Sequence, residues 1–289
     1  MPSRSSPNLR LLLSLALAAA SCGCAGGGPD ADWDACQQAV ERGAVLERDG
    51  KYPAAEREYL RAEALDPQDP VPQRYLGELY RHQFGDWDKA KMHFRRVLEL
   101  TGKGTDPLSR AVALHGLGKM TVWEGRFEEG LKLMEQSAET FPTALCCRNL
   151  AIYWMAEEKP DHWKPWADAA MALEPEDPYN QVFWAVCLDL MGKCKEAQAT
   201  AAAAPFRLEQ CYNRACIKAM CGFPEEALAL LKRHFYEFET TDAVRMREMK
   251  EARSDVTLKS LFKDPRFLEL TRLAEAPGVP PVVPPASMR

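Results

Sequence analysis

The sequence predicts an all-α protein built from consecutive helix pairs, and three observations lead to this class. Hydrophobic residues make up 46% of the 289 residues and charged residues 27%, a balance typical of a chain that folds around an apolar core. A pattern of small, turn-forming and large apolar residues recurs about every 34 residues. Acids and bases alternate between these positions, as on solvated helix faces. We therefore expect one helical repeat domain over residues 33–273.

The first 21 residues have the composition of a secretory signal. Arg4 and Arg10 flank the start of an apolar run over residues 11–20, which is shorter than the roughly 20 residues of a membrane-spanning helix. A buried N-terminal helix is the alternative, but no polar face follows the run at helical spacing. Residues 22–32 contain a glycine-rich stretch and predict a flexible tether.

Six copies of the repeat align on three kinds of position. The first helix carries a small residue, and the intervals between successive copies are 34, 41, 33, 34 and 30 residues: Gly43, Gly77, Gly118, Ala151, Ala185 and Ala215. A turn glycine follows at Gly50, Gly85, Gly125, Gly192 and Gly222. The second helix carries a small residue at Ala55, Ala90, Gly130, Ala197 and Ala227. The fourth copy departs from the last two patterns with Glu158 and Trp163, and residues 102–107 form an inserted loop that explains the longest interval.

Each of these positions has a physical reason. A small residue on the first helix lets the second helix approach closely, and a turn glycine can adopt the positive φ that ends a helix. Large apolar residues on the second helix, such as Tyr59, Phe94 and Met134, are expected to fill the space against the next copy.

The layout resembles the tetratricopeptide repeat, a helix–turn–helix unit of 34 residues. The resemblance implies a right-handed α-solenoid whose groove is lined by the first helices and binds peptides or protein surfaces. Residues 212–270, with Asp264-Pro265-Arg266-Phe267, resemble the end-of-group closing unit of bacterial repeat proteins. We interpret residues 242–273 as the C-terminal cap and the proline-rich residues 274–289 as a disordered tail.

The segment Ala19-Ala20-Ser21-Cys22 resembles the bacterial lipobox, in which small residues precede a cysteine that is diacylated and becomes the new N-terminus. The family usually has leucine where this chain has Ala19. The resemblance implies lipidation of Cys22 and a bacterial envelope protein, anchored in the outer membrane and facing the periplasm. A soluble secreted protein and a retained cytosolic protein are the alternatives.

No catalytic, cofactor or metal motif is present in the sequence. The five histidines form no His-Glu-x-x-His pair, the ten cysteines form no Cys-x-x-Cys pair, and no phosphate-binding glycine loop occurs. A net charge of −5 argues against a nucleic-acid partner, because such a partner requires a basic surface. We therefore expect a protein that is not an enzyme, holds no cofactor or metal, and takes no small-molecule substrate.

The cysteine pattern is compatible with three interpretations. Eight lie in the predicted helical domain: Cys36, Cys146, Cys147, Cys187, Cys194, Cys211, Cys216 and Cys221. Buried thiols, at least one disulfide, and catalysis are all compatible with this pattern. Cys187 and Cys216 lie at similar heights on neighbouring first helices and form the candidate disulfide. A perturbed thiolate near Arg148 or Arg214 would favour a thiol-dependent envelope enzyme or redox protein that uses the cysteines of the fourth to sixth repeats.

The groove implied by the resemblance can be projected onto the first helices. Its expected residues combine basic, aromatic and amide side chains, the first two of which are frequent binding anchors: Arg74, Tyr75, His115, Lys119, Trp123, Arg148, Asn149, Phe183, Tyr212 and Asn213. The leading functional hypothesis is therefore a membrane-tethered scaffold of the bacterial envelope that binds a partner protein or peptide in this groove.

Overall fold

The computed structural model of the chain describes residues 31–102, 104–155, 160–239 and 241–272. Within these residues the fold is helical and contains no β-strand, which confirms the predicted all-α class. The predicted signal segment with Cys22, most of the predicted tether, and the proline-rich tail lie outside the described residues. None of the helices in the described ranges has the length and apolar character that a bilayer span requires.

The described residues contain fourteen α-helices, of which the first twelve follow one another as six pairs. The first three pairs are α1 (Ala31–Arg48) and α2 (Tyr52–Leu65), α3 (Pro70–Leu79) and α4 (Trp87–Leu100), and α5 (Pro107–Trp123) and α6 (Phe127–Thr140). The next three are α7 (Ala144–Met155) and α8 (Pro160–Leu173), α9 (Pro178–Leu190) and α10 (Cys194–Ala203), and α11 (Cys211–Met220) and α12 (Pro224–Arg233). Helices α13 (Asp242–Ala252) and α14 (Pro265–Leu270) follow.

Local sequence signals set the ends of these helices. Asp69 and Asp177 accept hydrogen bonds from the backbone N–H groups of Val71 and Asn180, and each precedes a proline at the first helical position. The turn glycines have φ between 64° and 86° at Gly50, Gly85, Gly125, Gly192 and Gly222. After Gly50, the Lys51 N–H donates to the Leu46 carbonyl across the turn, which closes the first helix of the pair. The predicted turn positions are therefore confirmed.

The small residues on the first helices bring the two helices of a pair into close contact. A Cβ atom at Gly77 would lie 2.6 Å from a ring carbon of Phe94, which leaves no room for a side chain. Tyr59 packs against Gly43 in the same way, and a Cβ at Gly116 of α5 would also lie against the Phe94 ring. Phe94 therefore fills the space between its own pair and the next one, as the sequence predicts.

The described residues divide into two compact units. The first unit consists of the described chain up to Met120 together with Lys132–Pro142. The second unit consists of Thr121–Leu131 together with the described chain from Thr143 onward. The boundary falls within α5 and α6, so the third helix pair contributes to both units. This is consistent with a repeat chain in which each pair contacts only its neighbours.

The predicted cap is helical and packs on the last helix pair. Ser260 Oγ donates to the Ala219 carbonyl at the end of α11, at 3.0 Å. Asp264 accepts the Arg266 backbone N–H and begins α14, while Phe267 is fully buried. The Asp-Pro-Arg-Phe segment thus combines a helix N-cap with an apolar anchor.

Candidate functional site

A cation–aromatic stack in the first unit contains two of the predicted groove residues. Tyr75 of α3 stacks on Tyr59 of α2 with ring centroids 5.0 Å apart, and the Arg74 guanidinium lies 4.8 Å from the Tyr75 ring centroid. The Tyr59 hydroxyl donates to Glu47 at 2.7 Å, and this hydrogen bond fixes the position of the Tyr59 ring. Arg74 and Tyr75 are half-buried, so their surface is partly available to a partner. We call this set the Arg74–Tyr75 stack.

A polar cluster of the first unit lies at a π-helical turn, Tyr80–Phe84, that continues α3. Arg81 is almost completely buried and pairs with Glu78 at 2.8 Å. Although burial of Glu78 opposes it, the positive charge of Arg81 holds the pKa of the Glu78 carboxyl well below its ordinary value. Such turns often occur at functional sites, and no feature of the sequence predicted this one. Lys119, also a predicted groove residue, is half-buried.

His115, another predicted groove residue, is only 3% exposed. Burial, together with the charge of Arg81, lowers the pKa of the imidazole from 6.5 to about 3. His115 is therefore neutral at physiological pH and contributes polarity rather than charge to the first unit.

We expect His115 to remain neutral at pH 5 in the folded protein. Because the unfolded chain binds a proton near pH 6.5, this histidine should make the folded state less stable as the pH falls from about 6.5 towards 3. Nitrogen-detected NMR of the imidazoles reports the titration directly. A titration of His115 near pH 6.5 would contradict this account, and His115→Gln should remove this part of the pH dependence.

Arg148, predicted as a groove residue, has a structural role in the second unit. It donates a hydrogen bond to Asn180 Oδ1, lies 3.7 Å from an Asp177 carboxylate oxygen, and stacks 4.7 Å from the Tyr179 ring centroid. The Asn180 amide in turn donates to the Ala170 carbonyl at 3.0 Å. Arg148 thus connects α7 to the start of α9 and, through Asn180, to the last turn of α8.

Arg148→Ala should destabilise the second unit by about 2–3 kcal/mol, because it leaves the buried Asn180 amide oxygen without its charged donor. Urea unfolding followed by circular dichroism measures the change. Arg126→Ala is the matched control: Arg126 pairs with Glu124 and Glu129 at the surface, where such pairs contribute less than about 1 kcal/mol. Equal stability of the two variants would show that Arg148 has no such role.

Two further predicted residues, Tyr212 and Asn213, lie on α11 in the second unit. The Tyr212 hydroxyl donates to Asp255 of the cap at 3.0 Å, and its ring makes an edge contact with His234 at 5.2 Å. His234 lies in a second π-helical turn, His234–Phe238, with its Nε2 atom 2.6 Å from a Glu248 oxygen. Tyr212 is half-buried and Asn213 is 7% exposed.

Five of the expected groove residues are buried in the second unit: Trp123, Arg148, Asn149, Phe183 and Asn213. Phe183 is 1% exposed and packs with Ala151, Trp163 and Cys187, so the contact that we expected it to offer a partner is used inside the fold. Trp123 and Asn149 are 6% and 8% exposed. The prediction that these residues line an open groove is therefore wrong, because the sequence pattern does not distinguish contacts within the fold from contacts with a partner.

The second unit also contains an open cleft between α10 and α12, floored by α11, which we call the α10–α12 cleft. Its volume is about 760 Å³. Ala199, Ala202, Arg214 and Arg233 are among its lining residues, together with Phe206, which is 49% exposed. Sequence reasoning overlooked this site. The run of alanines in α10, followed by Pro205-Phe206-Arg207, was the signal that could have indicated it.

The cysteines pair differently from the candidate disulfide. The bond joins Cys194 and Cys221, with their Cα atoms 5.9 Å apart. Cys187 and Cys216 are free and buried, because each packs into an apolar cluster of its own. The other cysteines of the described ranges that lie outside this disulfide are Cys36, Cys146, Cys147 and Cys211, all buried.

The thiol environments raise rather than lower the cysteine pKa values. Burial raises the pKa of Cys36 to about 11 and that of Cys147 to about 12, even though Arg148 adjoins the latter. Burial likewise raises the pKa of Cys187, Cys211 and Cys216. None of these five thiols has the depressed pKa of a catalytic thiolate.

No protein-family model matches the sequence, and no curated protein is significantly similar to it.

Proposed function

We propose that the chain is a tetratricopeptide-type, right-handed α-solenoid that serves as a membrane-tethered interaction scaffold of the bacterial envelope. The repeat supports this assignment, since its small residues, turn glycines and large apolar residues make the contacts that this architecture requires. Proteins of this architecture present several helix pairs side by side and bind extended partners across them. The expected partner is a protein or peptide.

The Arg74–Tyr75 stack is the observation that carries the proposal. Arginine and tyrosine are enriched among residues that contribute most to protein–protein binding. The ring of Tyr75 stacks on the buried ring of Tyr59, so little side-chain entropy is lost when a partner covers Tyr75. An acidic or aromatic segment would match this surface, and the acidic remainder of the chain would repel it elsewhere.

Crosslinking and affinity capture from the native envelope test the proposal. Arg74→Glu reverses the charge of the stack and should reduce recovery of the specific partner roughly tenfold or more. Arg57→Glu is the matched control, because Arg57 is an exposed arginine of α2 outside the stack. Undiminished recovery with Arg74→Glu would reject this surface as the partner site.

The envelope assignment rests on the lipobox-like segment that ends at Cys22. Several acyl chains would anchor the protein stably, whereas one chain gives only marginal binding. The Cys194–Cys221 bond supports an oxidising compartment such as the periplasm. Mass spectrometry of the mature N-terminus should show an acylated Cys22. An intact Met1, or cleavage elsewhere without acylation, would contradict the anchor.

The alternative, a thiol-dependent enzyme or redox protein, predicts a reactive cysteine in the fourth to sixth repeats. We expect the opposite: the six buried thiols of the described ranges that lie outside the disulfide should resist iodoacetamide at neutral pH in the native protein and react after unfolding. Peptide mapping by mass spectrometry identifies the modified positions. Rapid native alkylation of Cys147, Cys211 or Cys216 would support the enzyme.

A further inference from the structure

Small side chains predominate where α10 lines the α10–α12 cleft, since three of its four lining residues are alanines and the fourth is Gln198. Ala199 and Ala202 line this wall at helical spacing and are both exposed, while Ile217 of α11 forms part of the floor. On the opposite wall, Ala229 and Leu230 of α12 continue the apolar surface. Two helices that form walls and a third that forms a floor make a groove of the kind that accepts an amphipathic helix.

The lining of the cleft includes an exposed aromatic ring, Phe206, that contacts two arginines. The guanidinium groups of Arg233 and Arg214 lie 4.9 Å and 5.4 Å from the Phe206 ring centroid. Arg214 is fixed in place, because it donates to the carbonyls of Ala201 and Ala204 at 2.7 Å and 3.0 Å. The exposed ring is therefore presented in a defined position, which lowers the entropic cost of binding.

The charges around the cleft favour an acidic partner. Three cations line it, Arg214, Lys218 and Arg233, against one carboxylate, Glu226. Lys218 pairs with Glu226 at 2.6 Å, and Arg233 pairs with Glu237 at 3.1 Å outside the lining. Glu226 and Glu237 are exposed and Lys218 and Arg233 are half-buried, so a partner carboxylate can replace the glutamate of either pair at little cost. A local excess of cations in a chain of net charge −5 provides electrostatic selectivity.

We propose that the α10–α12 cleft docks an acidic amphipathic helix of a partner protein. This inference rests on the proposed scaffold function and adds a second surface to it. The apolar face of the incoming helix packs on Ala199, Ala202 and Ile217, and one of its large apolar side chains covers Phe206. Its flanking aspartates and glutamates meet the cations of the cleft, chiefly Arg233.

A defined peptide tests this docking site on the full chain. The probe is a fluorescein-labelled synthetic helix of about 18 residues, with leucines at i, i+3, i+4 and i+7 on one face and glutamates on both flanks. The comparison peptide has lysines in place of the glutamates. Ala202→Trp fills the cleft from an exposed position, and Ala172→Trp, at an exposed position of α8, is the matched control. Fluorescence anisotropy gives the affinities, and circular dichroism checks the fold of each variant.

We expect the glutamate peptide to bind the parent chain at least roughly tenfold more tightly than the lysine peptide. Ala202→Trp should weaken that binding roughly tenfold or more, and Ala172→Trp should leave it unchanged. Absence of binding by the glutamate peptide, equal binding of both peptides, or binding that Ala202→Trp does not affect would overturn the proposal. Failure of the scaffold function is distinguishable, because it would appear as partner recovery that Arg74→Glu does not change.

Discussion

Gly77→Leu is expected to lower the stability of the first unit by about 3 kcal/mol or more. The new Cβ would lie 2.6 Å from the Phe94 ring, so α3 and α4 must move apart before the rest of the side chain is accommodated. Overpacking of this kind costs about 1–3 kcal/mol where the surroundings can relax, and here they are constrained. Phe94 also packs against Gly116 of α5, so the displacement should disturb the next helix pair. Thermal unfolding followed by circular dichroism measures the loss.

The matched control for this variant is Ala64→Leu, because Ala64 is exposed on α2 and its side chain can extend into solvent. Its melting temperature should stay close to that of the parent chain. If Gly77→Leu also melts within about a degree of the parent, the close approach of α3 and α4 does not contribute to stability. The interpretation of the small-residue positions would then fail for this protein.

Reduction of the Cys194–Cys221 disulfide is expected to destabilise the second unit by about 3.5 kcal/mol. The bond closes a loop over a sequence separation of 27 residues, and a crosslink of that length lowers the entropy of the unfolded chain by a corresponding amount. It joins the start of α10 to the residue that follows α11, next to the α10–α12 cleft. Urea unfolding with and without dithiothreitol measures the effect.

The double variant Cys194→Ser/Cys221→Ser provides the control for this measurement. It should have the reduced stability under both conditions, and the reductant should produce no further change. An oxidised parent chain that unfolds at the same urea concentration as the reduced chain would show that the bond does not constrain the unfolded state.

Features that depend on residues close together in the chain could be derived from the sequence. The turn at Gly50 is an example, because the need for positive φ and the loss of helical hydrogen bonds both act within a few residues. The close approach of α3 and α4 at Gly77 extends over one helix hairpin, and the repeat spacing was sufficient to predict it, whereas the contact of Gly77 with the Phe94 ring came only from the structure. The all-α class follows from six such local patterns in succession.

The tertiary structure determined which two cysteines form the disulfide. Cys187 and Cys216 occupy similar positions on their helices, but both side chains point into apolar clusters, where packing holds the thiols apart from each other. Cys194 and Cys221 lie next to the turn glycines Gly192 and Gly222 of neighbouring copies. Their proximity to turns was visible in the sequence, yet only the packing of one hairpin on the next brings their Cα atoms within 5.9 Å.

For the candidate binding surfaces, the sequence determined which helix face each residue occupies, and the tertiary structure determined its exposure. The sequence by itself determined that Arg74, Tyr75, Arg148 and Phe183 lie on first helices, since helical periodicity fixes the face that a residue occupies. Only the tertiary structure decided that Arg74 and Tyr75 stay partly exposed while Phe183 and Arg148 are buried. The physical reason is that burial depends on the angle and distance between neighbouring pairs, which result from many side-chain volumes together. The α10–α12 cleft has the same origin, because small alanines leave a gap only where no other element covers them.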